Sequence, residues 1–262
     1  MSLVPNRAEE VWKILRLSYR LGGKTLRPRF FLGIGGLALT GLLCANAGQR
    51  EASAGPQPAA VVTGWYNGDW QPGLPSQPNW FFKEGEFSRV YDDFVVPPGG
   101  WTVVGVFSNN HMDFSGVTKA AWEIRRDMAP GKGGKKVASG LSRATQVPIP
   151  DEGPSPGDPS AGYRIQVDGL HVRLAPGRYW LSVAPVGRGG SVRGGQWYAD
   201  ATLGKNALGD PPGNNGRALV TKTTFGIRFA DAGSLSPPGR FGKAQGFSQG
   251  VIIDAASGNK GH

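Results

Sequence analysis

The sequence predicts an all-β fold, an antiparallel two-sheet sandwich that follows an N-terminal signal helix. Short apolar runs alternate with clusters of glycine, proline, asparagine and aspartate, which is typical of strands joined by turns. No convincing 3.6-residue period follows residue 47. Because strands without intervening helices do not build a parallel βαβ sheet, we expect about ten strands in a jelly-roll-like sandwich.

The individual strands differ in how clearly they alternate. Residues 163–168 (YRIQVD) and 225–229 (FGIRF) place apolar side chains at every second position, which predicts half-buried strands. Residues 101–107, 120–126 and 178–183 are rich in β-branched and aromatic side chains, which favours strands in the core. Further candidate strands, shorter or less regular, cover 60–66, 86–96, 135–139, 171–174, 195–202 and 249–254.

Composition favours a folded domain over a disordered chain. The 262 residues include 42 glycines and 21 prolines, close to the low-complexity range. Eight tryptophans and an aromatic fraction of 10% nevertheless indicate a packed core. We expect Trp101, Trp122 and Trp180, which lie in predicted strands, to be part of that core.

The N-terminal 47 residues have the pattern of a secretory signal peptide. Seven cations within 1–29 precede the uncharged run 30–45, and Ala45-Asn46-Ala47 supplies the small residues of a cleavage site. As a helix, the uncharged run measures about 24 Å, which is short for a hydrocarbon core of about 30 Å. We therefore predict an exported protein, extracellular, periplasmic or at the cell surface. The alternative is an uncleaved membrane anchor formed by 30–45.

These patterns divide the chain into four parts. The signal peptide (or anchor) covers 1–47, a flexible leader 48–59, the sandwich domain 60–254 and a disordered tail 255–262. The single cysteine lies in the signal, so the mature domain would have no disulfide. Loss of the signal, with seven cations and two anions, lowers the net charge from +10 to +5.

An ordered series of motifs covers most of residues 86–254. A D-D-F-x-V-P strand, a W-x-I strand, an L-x-x-G-x-Y-W-L-S strand and a P-P-G-N-N loop follow one another. This series resembles a group of uncharacterised secreted bacterial β-sandwich proteins that are often found with PEP-CTERM-type sorting signals. The chain ends in GNKGH (258–262) without a Pro-Glu-Pro motif, so the resemblance does not extend to sorting. It implies a secreted β-sandwich and supplies no activity and no catalytic residue.

Aromatic side chains crowd residues 65–82, next to asparagine and aspartate. Sugar-binding surfaces combine such rings, on which a sugar stacks, with directional polar groups. The sequence therefore suggests a carbohydrate site, and the alternative is that these rings close one end of the core. The predicted ligand-binding residues are Trp65, Tyr66, Trp70 and Trp80.

Three aspartates are the candidate metal ligands. Asp92 and Asp93 together with Asp113 suggest a Ca²⁺ site, because Ca²⁺ prefers carboxylate oxygens. Adjacent residues of a strand face opposite sides, so only one of Asp92 and Asp93 can join Asp113 or Asp200 at one site. The alternative is that these acids are strand-edge charges or turn caps. No other cofactor is predicted.

Other chemical motifs are sparse. His111, predicted in a loop after two asparagines, is a candidate for a metal or general-base role, whereas His171 belongs to a polar strand face. The chain has no H-E-x-x-H, no Cys/His cluster and no G-x-S-x-G, so we predict no catalytic residue. The basic glycine runs at 131–136 and 187–195 lack the phosphate-loop spacing.

The function predicted from these observations is a non-enzymatic one. We expect an exported extracellular or cell-surface protein that binds carbohydrate or an envelope polymer, since its basic turns attract anionic polysaccharide. Nucleic acid is not an expected partner, and a membrane contact would arise only through 30–45 if the signal stays uncleaved. The alternatives are a glycan-cleaving hydrolase, which needs two converging carboxylates, and a purely structural envelope component.

Overall fold

The computed structural model describes residues 60–74, 76–150, 152–153, 160–187, 197–213, 215–235 and 246–258. The predicted signal peptide and leader, most of the second basic glycine run and the last four residues lie outside the described residues. No helix within the described ranges is long and apolar enough to cross a membrane.

The described residues are mostly strands. In chain order these are β1 (Val61–Tyr66), β2 (Gln77–Pro78), β3 (Trp80–Lys83), β4 (Glu86–Val96), β5 (Trp101–Met112), β6 (Lys119–Arg126), β7 (Lys135–Arg143), β8 (Thr145–Pro148), β9 (Ala161–Leu174), β10 (Gly177–Pro185), β11 (Trp197–Ala199), β12 (Ala201–Thr202), β13 (Leu219–Lys222), β14 (Ile227–Asp231), β15 (Gly246–Phe247) and β16 (Gln249–Asp254).

The first sheet is built around β5. On one side β5 pairs antiparallel with β9, from Trp101 opposite Leu174 to Met112 opposite Ala161. On the other side it pairs first with β16 and then, near its end, with β11. Strands β1, β8 and β2 extend this sheet next to β16, β9 and β11. The end of β5 is therefore held between two neighbours.

The second sheet has the order β14-β13-β4-β10-β6-β7, with β3 also paired to β4, and β12 and β15 form a small third sheet. β7 is an edge strand whose outer residues include Lys135, Lys136 and Arg143. All strand pairs of the two large sheets are antiparallel. The two sheets pack face to face, which confirms the predicted all-β sandwich.

Aromatic rings form the centre of the core. Phe94 contacts the rings of Trp65, Trp101 and Tyr179, with centroids 5.5 to 6.0 Å apart. Trp101, Trp122 and Trp180 are buried, as predicted. Each large apolar side chain removed from water contributes about 1.5–3 kcal/mol, so this cluster is a major source of stability.

A buried charge cluster lies on the second sheet. Glu123 accepts contacts from Arg89 and Arg125 at 2.6 Å each, and Tyr91 donates its hydroxyl at 3.2 Å. The guanidinium of Arg89 lies 5.0 Å from two phenylalanine rings. Burial tends to raise the pKa of Glu123, but the nearby cations outweigh burial and lower it below its ordinary value.

The structure differs from the predicted elements in several places. It contains sixteen strands in the described ranges rather than about ten, because the short strands β2, β3, β8, β13 and β15 were not predicted and the predicted segment 195–202 divides into β11 and β12. The predicted strand 225–229 begins instead with a 3-10 helix, and Gly226, at φ 67°, turns the chain into β14. In the predicted tail, residues Ala255–Gly258 form a helical turn, which Asp254 caps by accepting the N–H of Ala256 at 2.9 Å.

Candidate functional site

Two of the four predicted sugar-binding aromatics are part of the interior. Trp65 is 0% exposed, stacks on Phe94 and donates its indole N–H to the Pro211 carbonyl at 3.3 Å. Tyr66 is 8% exposed, and its hydroxyl donates to Asp69 at 2.8 Å. Because a sugar stacks on a ring face that solvent can reach, neither residue offers such a face in this structure.

The other two predicted aromatics are half-buried, and each contacts a different part of the fold. Trp80 packs against the main core cluster. Trp70 lies against the imidazole of His111, with ring centroids 4.3 Å apart. The four predicted residues therefore do not form an exposed row of rings.

The three predicted Ca²⁺ ligands are not brought together. Asp92 is buried and accepts N–H groups from Asn67 at 2.6 Å and from Phe247 at 2.5 Å. Burial, with a further contribution from the Asp93 charge, raises the pKa of Asp92 well above its usual range. Asp93 is also buried and is bound by Arg178 and Asn215, whereas Asp113 is exposed. The carboxylates of both buried aspartates are therefore already hydrogen-bonded or ion-paired within the fold.

A different cluster collects three potential metal ligands. His111, Glu152 and Asp200, hereafter the Glu–His–Asp cluster, place their donor atoms within 4.8 Å of one another. His111 Nδ1 and Asp200 Oδ1 are 2.6 Å apart. Over the described ranges, this is the one group of three such side chains with this geometry. Sequence reasoning identified His111 and Asp200 as candidates but missed Glu152.

Three elements of the fold position this cluster. His111 is in β5 rather than in the predicted loop, and it lies opposite Gly162 of β9 and Tyr198 of β11. Asp200 follows β11, and its backbone N–H donates to the Asn109 carbonyl at 3.1 Å. Glu152 follows β8, and its carbonyl accepts the N–H of Gly162 at 2.6 Å. Residues that are distant in sequence therefore meet at the end of β5.

Burial dominates the electrostatics of the cluster. It raises the pKa of Glu152 to about 7, and the Asp200 charge raises it further while His111 opposes the shift. Burial also raises the pKa of Asp200, again against His111. Within the described part of the chain, Asp200 Oδ2 and Glu152 Oε2 are buried and have no hydrogen-bond partner.

The carboxylates of this cluster are poorly placed for glycoside hydrolysis. Glycosidases separate their two carboxyl groups by about 5–9.5 Å across a substrate. The donor atoms of Glu152 and Asp200 lie within 4.8 Å, and Asp200 is 0% exposed. A substrate therefore cannot pass between them, whereas a single ion or a proton can.

A separate cavity lies beyond the end of β5. Its volume is about 540 Å³, and the half-buried ring of Phe114 and the ring of Trp197 contribute aromatic lining, with centroids 4.2 Å apart. The exposed polar side chains that line it are Asp113, Ser115, Thr118 and Lys119. We refer to it as the Phe114–Trp197 cavity. It combines apolar ring surface with hydrogen-bonding groups at the rim.

The loop that forms this cavity is held in place by one side chain. Gln146 of β8 donates its Nε2 N–H to the Phe114 carbonyl at 3.0 Å and accepts the Val117 N–H on Oε1 at 2.9 Å. Both ends of the segment 114–117 are therefore fixed to β8. The cavity exists before any ligand arrives, which reduces the entropy cost of binding.

The described residues form a β-sandwich with a cavity of about 540 Å³. Comparison with family models, with curated proteins and with solved structures finds no match for this chain.

Proposed function

We propose that this protein is an exported, non-enzymatic binding protein that holds a saccharide unit in the Phe114–Trp197 cavity. The saccharide would be free or part of an envelope polysaccharide. The observation that supports this most is that one cavity combines the half-buried Phe114 ring with four polar rim residues. A volume of about 540 Å³ lies within the usual range for small-ligand sites.

The lining matches the two chemical surfaces of a sugar. The C–H face of a pyranose ring packs on aromatic carbon, and Phe114, which is only half-buried, offers such a surface. The hydroxyl groups need donors and acceptors, which Ser115, Thr118 and Asp113 supply. The Trp197 indole N–H is buried and has no hydrogen-bond partner among the described residues.

Charge favours a neutral or acidic sugar. Lys119 lies at the rim, and the chain without residues 1–47 has a net charge of +5. At the rim the charges of Lys119 and Asp113 balance, whereas the positive overall charge attracts acidic glycans over distances of about one Debye length. The signal-like pattern of residues 1–47 supports the exported location in which such polymers occur.

Binding is better supported than hydrolysis at this cavity. A glycoside hydrolase normally needs two carboxyl groups across the scissile bond. Among the described residues that line the cavity, Asp113 supplies the one carboxylate. The Glu–His–Asp cluster does not supply the second, because neither Glu152 nor Asp200 lines the cavity.

The test is a glycan-array screen of the purified full-length chain, followed by titration calorimetry on each glycan that binds. We expect Phe114→Ala to weaken binding at least about tenfold, equivalent to about 1.4 kcal/mol. Trp70→Ala is the matched control, because this half-buried ring lies outside the cavity lining, and it should leave affinity unchanged.

Two outcomes would overturn the proposal. Absence of binding across neutral and acidic glycans, by a chain whose circular dichroism shows the β-fold, would favour a structural envelope component. Release of shorter sugars from a bound glycan would favour the hydrolase alternative.

A further inference from the structure

We infer that the Glu–His–Asp cluster is a binding site for one divalent transition-metal ion of the zinc type. The inference does not rest on the saccharide proposal, since none of His111, Glu152 and Asp200 lines the Phe114–Trp197 cavity. It is also distinct from the Ca²⁺ site predicted at the three other aspartates.

The donor set selects the class of metal. One imidazole nitrogen and two carboxylate oxygens lie within 4.8 Å of one another on three separate elements. Zn²⁺ accepts this mixture of nitrogen and oxygen at about 2.0–2.2 Å, and three protein ligands leave one position for water. Ca²⁺ requires six to eight oxygen ligands, so one imidazole and two carboxylates suit it poorly.

The unpartnered oxygens are the second, independent observation. Asp200 is 0% exposed, and its Oδ2 atom has no hydrogen-bond partner within the described part of the chain. Glu152 Oε2 is also buried, and it has no hydrogen-bond partner among the described residues. A buried carboxylate oxygen without a donor or cation is destabilising, and two of them close together repel each other. A divalent cation between them would remove both penalties.

The His111–Asp200 pair needs only a small adjustment to hold an ion. His111 Nδ1 and Asp200 Oδ1 are 2.6 Å apart, which is a hydrogen-bond distance. Two tetrahedral ligands of zinc are separated by about 3.3 Å, as follows from bond lengths of about 2.0–2.1 Å. A metal in place of the shared proton therefore moves these atoms apart by less than about 1 Å, which side-chain rotation can supply.

The surroundings hold the ligands in position. The Trp70 ring packs on the His111 imidazole at 4.3 Å and shields it from solvent on that side. The backbone of Asp200 is fixed at both ends, since its N–H donates to Asn109 and its carbonyl accepts the Ser248 N–H at 2.8 Å. Such support outside the ligand set is typical of metal sites and contributes to their affinity.

The experiment uses the untagged full-length chain after dialysis against EDTA. Titration calorimetry with ZnCl₂, MnCl₂ and CaCl₂ should give one Zn²⁺ per chain, bound at least about tenfold more tightly than Ca²⁺. Elemental analysis of the protein before dialysis gives an independent measure of bound metal.

Conservative variants test the assignment to these residues. Asp200→Asn and Glu152→Gln keep the side-chain shape, and each should weaken Zn²⁺ binding at least about tenfold. Asp113→Asn, an exposed acid outside the cluster, is the matched control and should leave Zn²⁺ affinity unchanged. The circular dichroism spectrum of each variant confirms that it has folded.

The inference fails if the folded wild-type chain binds no Zn²⁺ at micromolar concentration. It also fails if both cluster variants bind Zn²⁺ as tightly as the wild type, because the ion would then occupy another site. Glycan binding that persists in EDTA would leave the proposed function intact in either case, so the two proposals can fail separately.

Discussion

Gly162 faces Glu152 so closely that a methyl group on Gly162 would lie 2.2 Å from Glu152 Oε2 and 2.5 Å from its Cβ. Real side chains do not approach this closely, so any larger residue at position 162 must displace the glutamate. Gly162 is not in a positive-φ conformation, and backbone strain is therefore not the reason for glycine here. The glycine provides the space in which the Glu152 carboxylate joins His111 and Asp200.

Gly162→Ala should therefore weaken Zn²⁺ binding at least about tenfold without removing a ligand, because the Glu152 carboxylate is pushed out of position. Titration calorimetry measures the effect. Gly153→Ala is the control, since a Cβ there meets no atom within 4 Å. Unchanged Zn²⁺ affinity in Gly162→Ala would mean that Glu152 is not a ligand.

Gln146→Leu should loosen the cavity loop, because it removes the two hydrogen bonds that fix residues 114 and 117. We expect a loss of about 1–3 kcal/mol in the free energy of unfolding, at about 0.5–1.5 kcal/mol per bond. Glycan affinity should fall as well, since the rings are no longer preorganised. Urea denaturation and glycan titration check the two effects, with Gln166→Leu, whose bond to Asp168 is exposed, as the control.

Glu123→Gln should destabilise the fold by about 3–5 kcal/mol, because it leaves the buried Arg89 without its compensating charge. Urea denaturation at pH 7 measures the loss. Glu86→Gln removes a partner of Lys83 at a solvent-exposed pair and should cost less than about 1 kcal/mol. Similar losses in both variants would show that the Arg89–Glu123 pair contributes little.

The contribution of Glu123 to the free energy of unfolding depends on pH. Burial opposes ionisation of Glu123, but Arg89 and Arg125 outweigh it, so the pKa in the folded chain lies below the ordinary 4.5. As the pH falls, the unfolded chain binds the proton first, and folding loses this contribution. The contribution is therefore complete above pH 4.5 and is lost as the pH drops through the folded-state pKa.

This pH dependence can be measured as the difference in the free energy of unfolding between the wild type and Glu123→Gln. The stability gap between wild type and Glu123→Gln should be constant above about pH 5.5 and should narrow steadily below pH 4.5. Urea denaturation over a pH series gives this gap directly. A gap that stays constant down to pH 3 would contradict the assigned pKa direction.

The sequence was sufficient for the fold class because that depends on local patterns. Alternation at 163–168 and the apolar runs around Trp101 and Trp180 marked strands that the structure contains. The buried position of Trp65 was not predictable, because an aromatic residue beside polar ones suits a sugar site and a core equally well. Only the packing of Trp65 on Phe94 distinguishes the two.

The sites depend on contacts between distant residues, which no local pattern records. His111 and Asp200 are 89 positions apart yet lie at hydrogen-bond distance. Glu152 lies in the proline-rich segment 147–162 (VPIPDEGPSPGDPSAG), whose sequence contains no metal-ligand spacing. The closest available signal for the cavity was the segment 113–118 (DFSGVT), which places one aromatic residue among turn formers.

The edge strand β7 affects how the molecule behaves at high concentration. An unpaired strand edge invites a second chain to add to the sheet, and lysine side chains along it oppose that addition by repulsion. Lys135, Lys136 and Arg143 place three cations on β7. Growth of fibrils through this edge is therefore disfavoured, and the protein should stay dispersed at high concentration.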